Sequence, residues 1–274
     1  LRRFLLRPGA AQEFLWFTIK QGWACIFGAL LLAALIITKL WFPQGTIARY
    51  DFLLLYAIGI QAALLLTRME TWREACVVIL FHLLATAMEI FKTSSAIGSW
   101  SYPGDASFRI AGVPLFAGFL YSAVGSYIAR AWRIFDFQFA RFPHPTIAAA
   151  IALLAYANFF SHHFLPDLRW LLIIATIIAY ARTSISFTPA QHTYSMPLVP
   201  GLLLVTCFLW IAENIGTLTS TWLYPNQTAQ WQFVGWGKFT SWFLLVQLSF
   251  VLIYLLRLLE TQLAYPHKQR HPTL

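Results

Sequence analysis

Two glutamates pose the chemical question in this sequence. Glu89 and Glu213 each stand near the end of an apolar run, and each leads into a similar turn: EIFKTSSAIGSWSYPGD from 89 to 105 and ENIGTLTSTWLYPNQ from 213 to 227. A Trp-x-Tyr-Pro element occurs in both. A carboxyl at membrane depth is costly unless it is paired, neutralised or wetted, so such a residue is a functional candidate by default. General acid catalysis suits it. A desolvated carboxyl keeps its proton until a substrate such as an alkene takes it, and aromatic faces shelter the cation that results. Glu89 and Glu213 are the candidate acids, with Trp100, Tyr102, Trp222 and Tyr224 as the aromatic shelter.

Spacing enlarges the first group. His82, Thr86, Glu89 and Lys92 or Thr93 fall at i, i+4, i+7 and i+10 or i+11, which places one polar stripe along an apolar helix and brings His82 and Lys92 into the catalytic set. The stripe around Glu213 is thinner, with Thr206 and Trp210. The Ser- and Gly-rich segment between Lys92 and Asp105 reads as partly unwound and covered by protein or a water-filled cavity. A small pocket is expected there, with Gly112, Pro114 and Gly118 opening the next helix and allowing close approach. The purely structural alternative pairs Glu89 with Lys92, ties Glu213 to a backbone amide and makes His82 a core histidine. It also attributes the aromatic turns to the headgroup preference of Trp and Tyr and the helix-ending habit of Pro.

The elements that must position these groups are membrane helices. The chain has 274 residues, of which 59% are hydrophobic and 11% charged, with a mean hydropathy of +0.65, more apolar surface than a soluble domain hides from water. Eight apolar runs, roughly 18–41, 51–68, 74–92, 110–132, 145–165, 168–187, 196–217 and 234–258, have the length a bilayer core requires. The expected fold is therefore all-α, a polytopic bundle of eight transmembrane helices forming one domain over 1–274, with a cytoplasmic tail at 261–274. The first run is too long for a removable signal peptide and reads as a helix.

Aligning the turns exposes an internal repeat. His82 and Glu89 map onto Thr206 and Glu213 at an offset of 124, and Tyr102-Pro103 onto Tyr224-Pro225 at 122. Each half, about 14–135 and about 143–260, holds four runs, and an even number gives halves of the same orientation, a 4+4 parallel arrangement. Helices 3 and 7 are then counterparts, expected to face each other across the middle of the bundle. Lys39, Arg49, Lys92, Arg109, Arg169 and Lys238 fall on one side and the other thirteen Lys and Arg on the opposite side, which places both termini in the cytoplasm and both turns outside.

Other features exclude more than they suggest. The net charge of +9 is scattered singly at helix ends, so no nucleic-acid partner is expected. Cys25, Cys76 and Cys207 lie in apolar runs at no ligand spacing and read as small core residues. His162 and His163 are adjacent, point about 100° apart on a helix, and read as interfacial histidines and not as metal ligands. The mixed charges of Arg68 to Glu74 read as a solvated turn. No Walker loop, dinucleotide fingerprint, HExxH or serine elbow occurs, and no cofactor or metal is expected.

Several of these residues carry a resemblance. Phe91-Lys92, Gly98-Ser-Trp-Ser-Tyr-Pro103, Gly112-Val-Pro-Leu-Phe-Ala-Gly-Phe-Leu-Tyr-Ser122 and Gly125-Ser-Tyr-Ile128 resemble a bacterial integral membrane family catalogued as domain of unknown function 817. That resemblance implies a membrane location and no established activity. Locally, Glu89, Gly98, Tyr102, Gly112, Val113 and Pro114 are similar to membrane carotenoid hydratases and, more remotely, small-domain lycopene cyclases, which implies isoprenoid chemistry by analogy.

Three functions compete at this level. The first is an enzyme acting on an isoprenoid or other lipid by acid catalysis in an intramembrane pocket. The second is a proton-coupled transporter of a small solute with its carboxylates at a repeat interface. The third is a non-catalytic membrane scaffold. The bilayer and a lipid or isoprenoid substrate are the expected partners.

Overall fold

The computed structural model describes residues 8–43, 45 and 47–264. Arg2, Arg3, Arg7, Lys268, Arg270 and most of the expected tail lie outside the described residues. Eight α-helices follow one another: α1 (Pro8–Leu40), α2 (Arg49–Leu66), α3 (Trp72–Thr93), α4 (Phe116–Phe135), α5 (Pro145–Ser161), α6 (Arg169–Tyr180), α7 (Leu198–Leu218) and α8 (Trp236–Ala264). Their ends follow from local chemistry. Thr71 and Glu74 form a reciprocal capping box that starts α3, Pro145 sits in the first turn of α5, and Asp136 closes α4 in the left-handed region at φ 52°.

The all-α expectation needs correcting in two places. Arg109–Ile110 (β1) and Val113–Pro114 (β2) form a two-residue antiparallel ladder before α4, in the stretch expected to be helical from 110. Gln138–Ala140 (β3), Ser184–Phe187 (β4) and Tyr194–Pro197 (β5) form a three-stranded antiparallel sheet at the other end of the bundle. The run expected to span 168–187 is accordingly divided between a twelve-residue helix and strand β4. Thr183, whose hydroxyl donates to the Arg141 carbonyl, and Ser184 favour the extended ladder once the apolar run is broken by Arg182. At about 1.5 Å per residue α6 is too short to cross a bilayer core by itself.

Among the described residues five helices are long and apolar enough to cross a membrane: Gly9–Leu40, Arg49–Leu66, Trp72–Thr93, Leu198–Leu218 and Trp236–Glu260. Their outer faces carry exposed Leu, Ile, Phe and Trp, including Leu55, Leu83, Leu204 and Phe208. These are the marks of a membrane protein. Cys25, Cys76 and Cys207 also lie exposed on helix faces, so they are not the core residues expected, being small enough to sit against lipid without leaving a gap inside.

Packing follows a regular plan. α3 packs on α4 and α7 on α8; α1 packs on α4 and α5 on α8; α1 packs on α2 and α5 on α6; and α4 meets α8 in the middle. The two glutamate-bearing helices α3 and α7 are linked through their packing on α4 and α8, which meet one another. Close approach of α4 to α3 depends on Gly118 and Gly125, where a Cβ would collide with His82 and Thr86, and with Phe81. The helix ends divide into an aromatic end, where α1, α3, α5 and α7 finish, and an opposite end holding the three-stranded sheet. At the opposite end Glu70 and Arg130 form an ion pair at 3.4 Å with both side chains fully buried, and Glu74 binds Arg133 at 2.8 Å.

Candidate functional site

The aromatic end is organised around the two glutamates. Glu89, on the last turns of α3, is 1% exposed, and its carboxyl accepts three hydrogen bonds, from Trp100 Nε1 and Tyr102 Oη, both at 2.8 Å on Oε2, and from Tyr121 Oη at 2.8 Å on Oε1. Glu213, near the end of α7, is treated the same way: Trp222 Nε1 (3.0 Å) and Tyr224 Oη donate to Oε1, and Trp242 Nε1 (3.2 Å) donates to Oε2. Two donors in each set come from the Trp-x-Tyr turn and the third from the helix that follows it, α4 or α8. Tyr121 and Trp242, the third donors, stack with centroids 5.8 Å apart.

The turns reach this geometry because each is anchored at several points. Gly98 adopts φ 58°, letting the chain reverse so that Ser99 donates its N–H to the Lys92 carbonyl. Gly104 donates to Tyr50 Oη at 3.0 Å, and the Asp51 carboxylate accepts the Ser107 and Phe108 N–H groups, which moors the loop to the start of α2. In the second turn Gly216 leaves room for the Trp222 ring, which a Cβ would overlap. The two turns then meet: Ser101 and Leu223 exchange backbone hydrogen bonds at 2.9 and 3.0 Å, and the Trp100 and Tyr224 rings lie edge to face at 6.1 Å. Burial, together with the adjacent carboxylates, pushes the Tyr102 and Tyr224 hydroxyls well above the usual phenol range, so both remain protonated donors.

Below these turns lies a cavity of about 400 Å³. Its wall takes Met88 and Lys92 from α3, Tyr121 from α4, Phe159 and His162 from the end of α5, Arg169 from α6, Glu213 from α7, and Lys238, Trp242 and Leu245 from α8, with Trp100 and Tyr224 from the turns. Lys238 Nζ lies 4.6 Å over the Trp100 ring and 4.2 Å over Tyr224, the aromatic partners of Glu89 and Glu213 respectively. Arg169 bonds the Gly237 carbonyl at 2.7 Å and pairs with Asp167 at 3.1 Å.

The sequence-derived residues are distributed unevenly about this cavity. Glu213, Lys92, Trp100 and Tyr224 line it. Glu89, Tyr102 and Trp222 stand behind the wall as hydrogen-bonding partners. His82 packs against Phe119 with ring centroids 4.5 Å apart, one helix turn and more away from Glu89, and does not join the cluster. Pro114 sits in β2 and Gly112 in the turn joining β1 to β2, where, at φ 84°, it presents its carbonyl to Arg109; neither lines the cavity. Glu89 does not pair with Lys92: the lysine ammonium is held by His162 Nε2 at 3.3 Å and His163 Nε2 at 2.8 Å. Tyr121, Trp242, Lys238 and Arg169 were missed as site residues.

The histidine pair gives a test of this geometry. Burial, and then the Lys92 charge, hold His163 below the ordinary histidine value of 6.5, and burial is also the main cause of the lowered His162. The folded protein therefore resists protons that the unfolded chain takes up near pH 6.5, and stability is expected to fall as pH is lowered through that value and level off below the folded pKa. Thermal unfolding in detergent from pH 8 to 5 is expected to show a smaller acid loss in His163→Gln than in the native protein; equal losses would reject the Lys92–histidine contact as the cause.

Long apolar helices around a cavity at one end define a helical membrane protein. The chain belongs to the family described as "Protein of unknown function (DUF817)", whose model matches residues 13–250. It is 38% identical over 253 residues, covering 92% of this chain and 95% of the other, to "Uncharacterized protein YoaT" of Bacillus subtilis (strain 168). No solved structure matches it.

Proposed function

We propose that this protein is an integral membrane enzyme that acts on an isoprenoid or other lipid in the cavity at the aromatic end, with Glu213 as its acid–base group. The observation that carries the reading is that Glu213 belongs to the wall of a cavity of about 400 Å³ shared with apolar Met88, Phe159 and Leu245. Of its three partners, the indoles of Trp222 and Trp242 can only donate, whereas the Tyr224 hydroxyl can also accept. A protonated Glu213 can thus give its hydrogen to Tyr224 and release it to a substrate without losing its position. Glu89, behind the wall, positions Trp100 and Tyr102; Lys92 contributes charge to the lining.

We also read the bundle as two parallel four-helix halves, about 14–135 and about 143–260. Support comes from the matching packing pairs, the matching donor sets on the two glutamates and the mutual pairing of Ser101 with Leu223, residues equivalent under the 122-residue offset. With the basic excess on the opposite end, the aromatic end faces outward from a bacterial cytoplasmic membrane and both termini are cytoplasmic.

A proton-coupled transporter is the second reading, favoured by Lys238 lying over the partners of both carboxylates where the halves meet. A non-catalytic scaffold gives the cavity no purpose. Lipid extracts of cells carrying the native protein, Glu213→Gln or Glu89→Gln separate these. The enzyme reading expects a lipid species made or consumed by the native protein and unaffected by Glu213→Gln expression. Unchanged lipids with lost solute uptake would reverse the choice in favour of transport.

A further inference from the structure

We propose that the cavity binds a phosphate-type anion, carried on a lipid or isoprenoid headgroup or present as free phosphate. This deepens the enzymatic reading above by naming the charged part of its substrate. Three of the cations at the aromatic end, Lys92, Arg169 and Lys238, come from three different helices and line one cavity. Glu213 and Glu89 act on Lys238, and Asp167 on Lys92, only from beyond ion-pair distance. Lys92, 5% exposed, gives two of its three ammonium protons to imidazole nitrogens. Lys238 rests on two aromatic faces and enters no ion pair among the described residues. Arg169 alone has an acid at hand, Asp167 at 3.1 Å. The oxygens of Glu213 are occupied by Trp222, Tyr224 and Trp242, not by a cation.

Two lysines and an arginine around one cavity, with neither lysine in direct contact with a carboxylate among the described residues, are stabilised further by an occupant that supplies negative charge. Two ammonium groups and a guanidinium from separate directions suit a tetrahedral group with several acceptor oxygens and up to two charges better than a single carboxylate. The volume, about 400 Å³, exceeds that of an inorganic ion, and Met88, Phe159 and Leu245 continue the wall with apolar surface. A charged head with the first carbons of a chain matches that division, so the lipid phosphate is expected to bind more tightly than the free ion.

The test uses the full chain purified in detergent, with binding of dihexanoyl phosphatidic acid, dihexanoyl phosphatidylcholine and inorganic phosphate followed by calorimetry. The expected result is saturable binding of the phosphatidic acid, weaker or absent binding of the phosphatidylcholine, and about a tenfold or greater loss of affinity in Lys238→Gln and in Lys92→Gln. Lys238→Arg keeps the charge and is expected to bind, which guards against a variant that merely fails to fold. Binding of inorganic phosphate as tightly as the phosphatidic acid, with the same lysine dependence, would assign the site to free phosphate. No binding of either phosphate, or lysine variants that fold and bind like the native protein, would overturn the proposal. Because binding is read without turnover, a chain that binds phosphate but leaves cell lipids unchanged keeps the site and rejects the enzyme; a chain that changes lipids but binds no phosphate does the reverse.

Discussion

Glu89→Ala is expected to destabilise the protein by on the order of 3–5 kcal/mol, because it strands three buried donors at once. Trp100 Nε1, Tyr102 Oη and Tyr121 Oη all point at this carboxyl. Glu89→Gln is expected to be nearly neutral for stability. An amide oxygen at the Oε2 position still accepts from Trp100 and Tyr102, and the amide nitrogen can donate to Tyr121, whose hydroxyl turns to receive it. Thermal midpoints in detergent, expected to drop by roughly 10 °C for the alanine variant and little for the glutamine, check this. Equal losses in the two variants would mean that the charge of Glu89, and not its hydrogen bonds, holds the turn. The corresponding glutamine at 213 is not equivalent: the amide nitrogen would face Trp242, an indole that cannot accept.

Arg130→Leu is the second large effect. Its guanidinium meets Glu70 at 3.4 Å with both side chains fully buried, and it also donates to Ser126 Oγ and the Trp23 carbonyl, each at 3.3 Å. Removing the cation leaves a buried carboxyl held only by the Gln61 amide and Ser126, which is expected to cost about 3–5 kcal/mol. Burial already pushes Glu70 above the usual carboxylate range, with Arg130 opposing that shift. Without Arg130 the folded-state value rises further above that of the unfolded chain. The deficit is therefore fully present at alkaline pH and shrinks as pH falls through the folded value, since the folded carboxyl then takes its proton first. Unfolding midpoints of Arg130→Leu and native protein at pH 8 and pH 5 are expected to converge at the lower pH, and Glu70→Gln in the same chain is expected to recover most of the loss. A deficit independent of pH would show that packing of the arginine stem, not the stranded acid, is responsible.

The two predictions sit at opposite ends of the bundle, and that separation bears on function. The Glu70–Arg130 pair is tied to Trp23 of α1, Gln61 of α2 and Ser126 of α4, so its value is architectural. The glutamates at the aromatic end are equally buried, yet one of them lines a space large enough for a ligand. Lys92 and Lys238 complete the contrast, as charges brought to the same space with no carboxylate in direct contact among the described residues.

What the sequence determined by itself was local and compositional. Each of the eight apolar runs carries a helix, although strands take up the start of the fourth and the end of the sixth, and the glutamates followed by Trp-x-Tyr-Pro were legible because their order recurs. The pairing of Glu89 and Glu213 with the tryptophan and tyrosine of their own turns is likewise a short-range matter, closed within eleven to thirteen residues for Glu89 and nine to eleven for Glu213. Only the tertiary structure decided the rest. The third donors, Tyr121 and Trp242, arrive from helices whose rotation is set by how closely α4 and α8 approach their neighbours, which no spacing reveals. His82 shares a stripe with Glu89 in one dimension, but the missing Cβ of Gly118 draws α4 over it and removes it from the cluster. Lys92, Arg169 and Lys238 are scattered singly along the chain and read as topology markers; they become one charged wall because α3, α6 and α8 end around the same space. Short-range hydrogen bonds are written in the order of residues, whereas convergence of distant charges depends on helix packing.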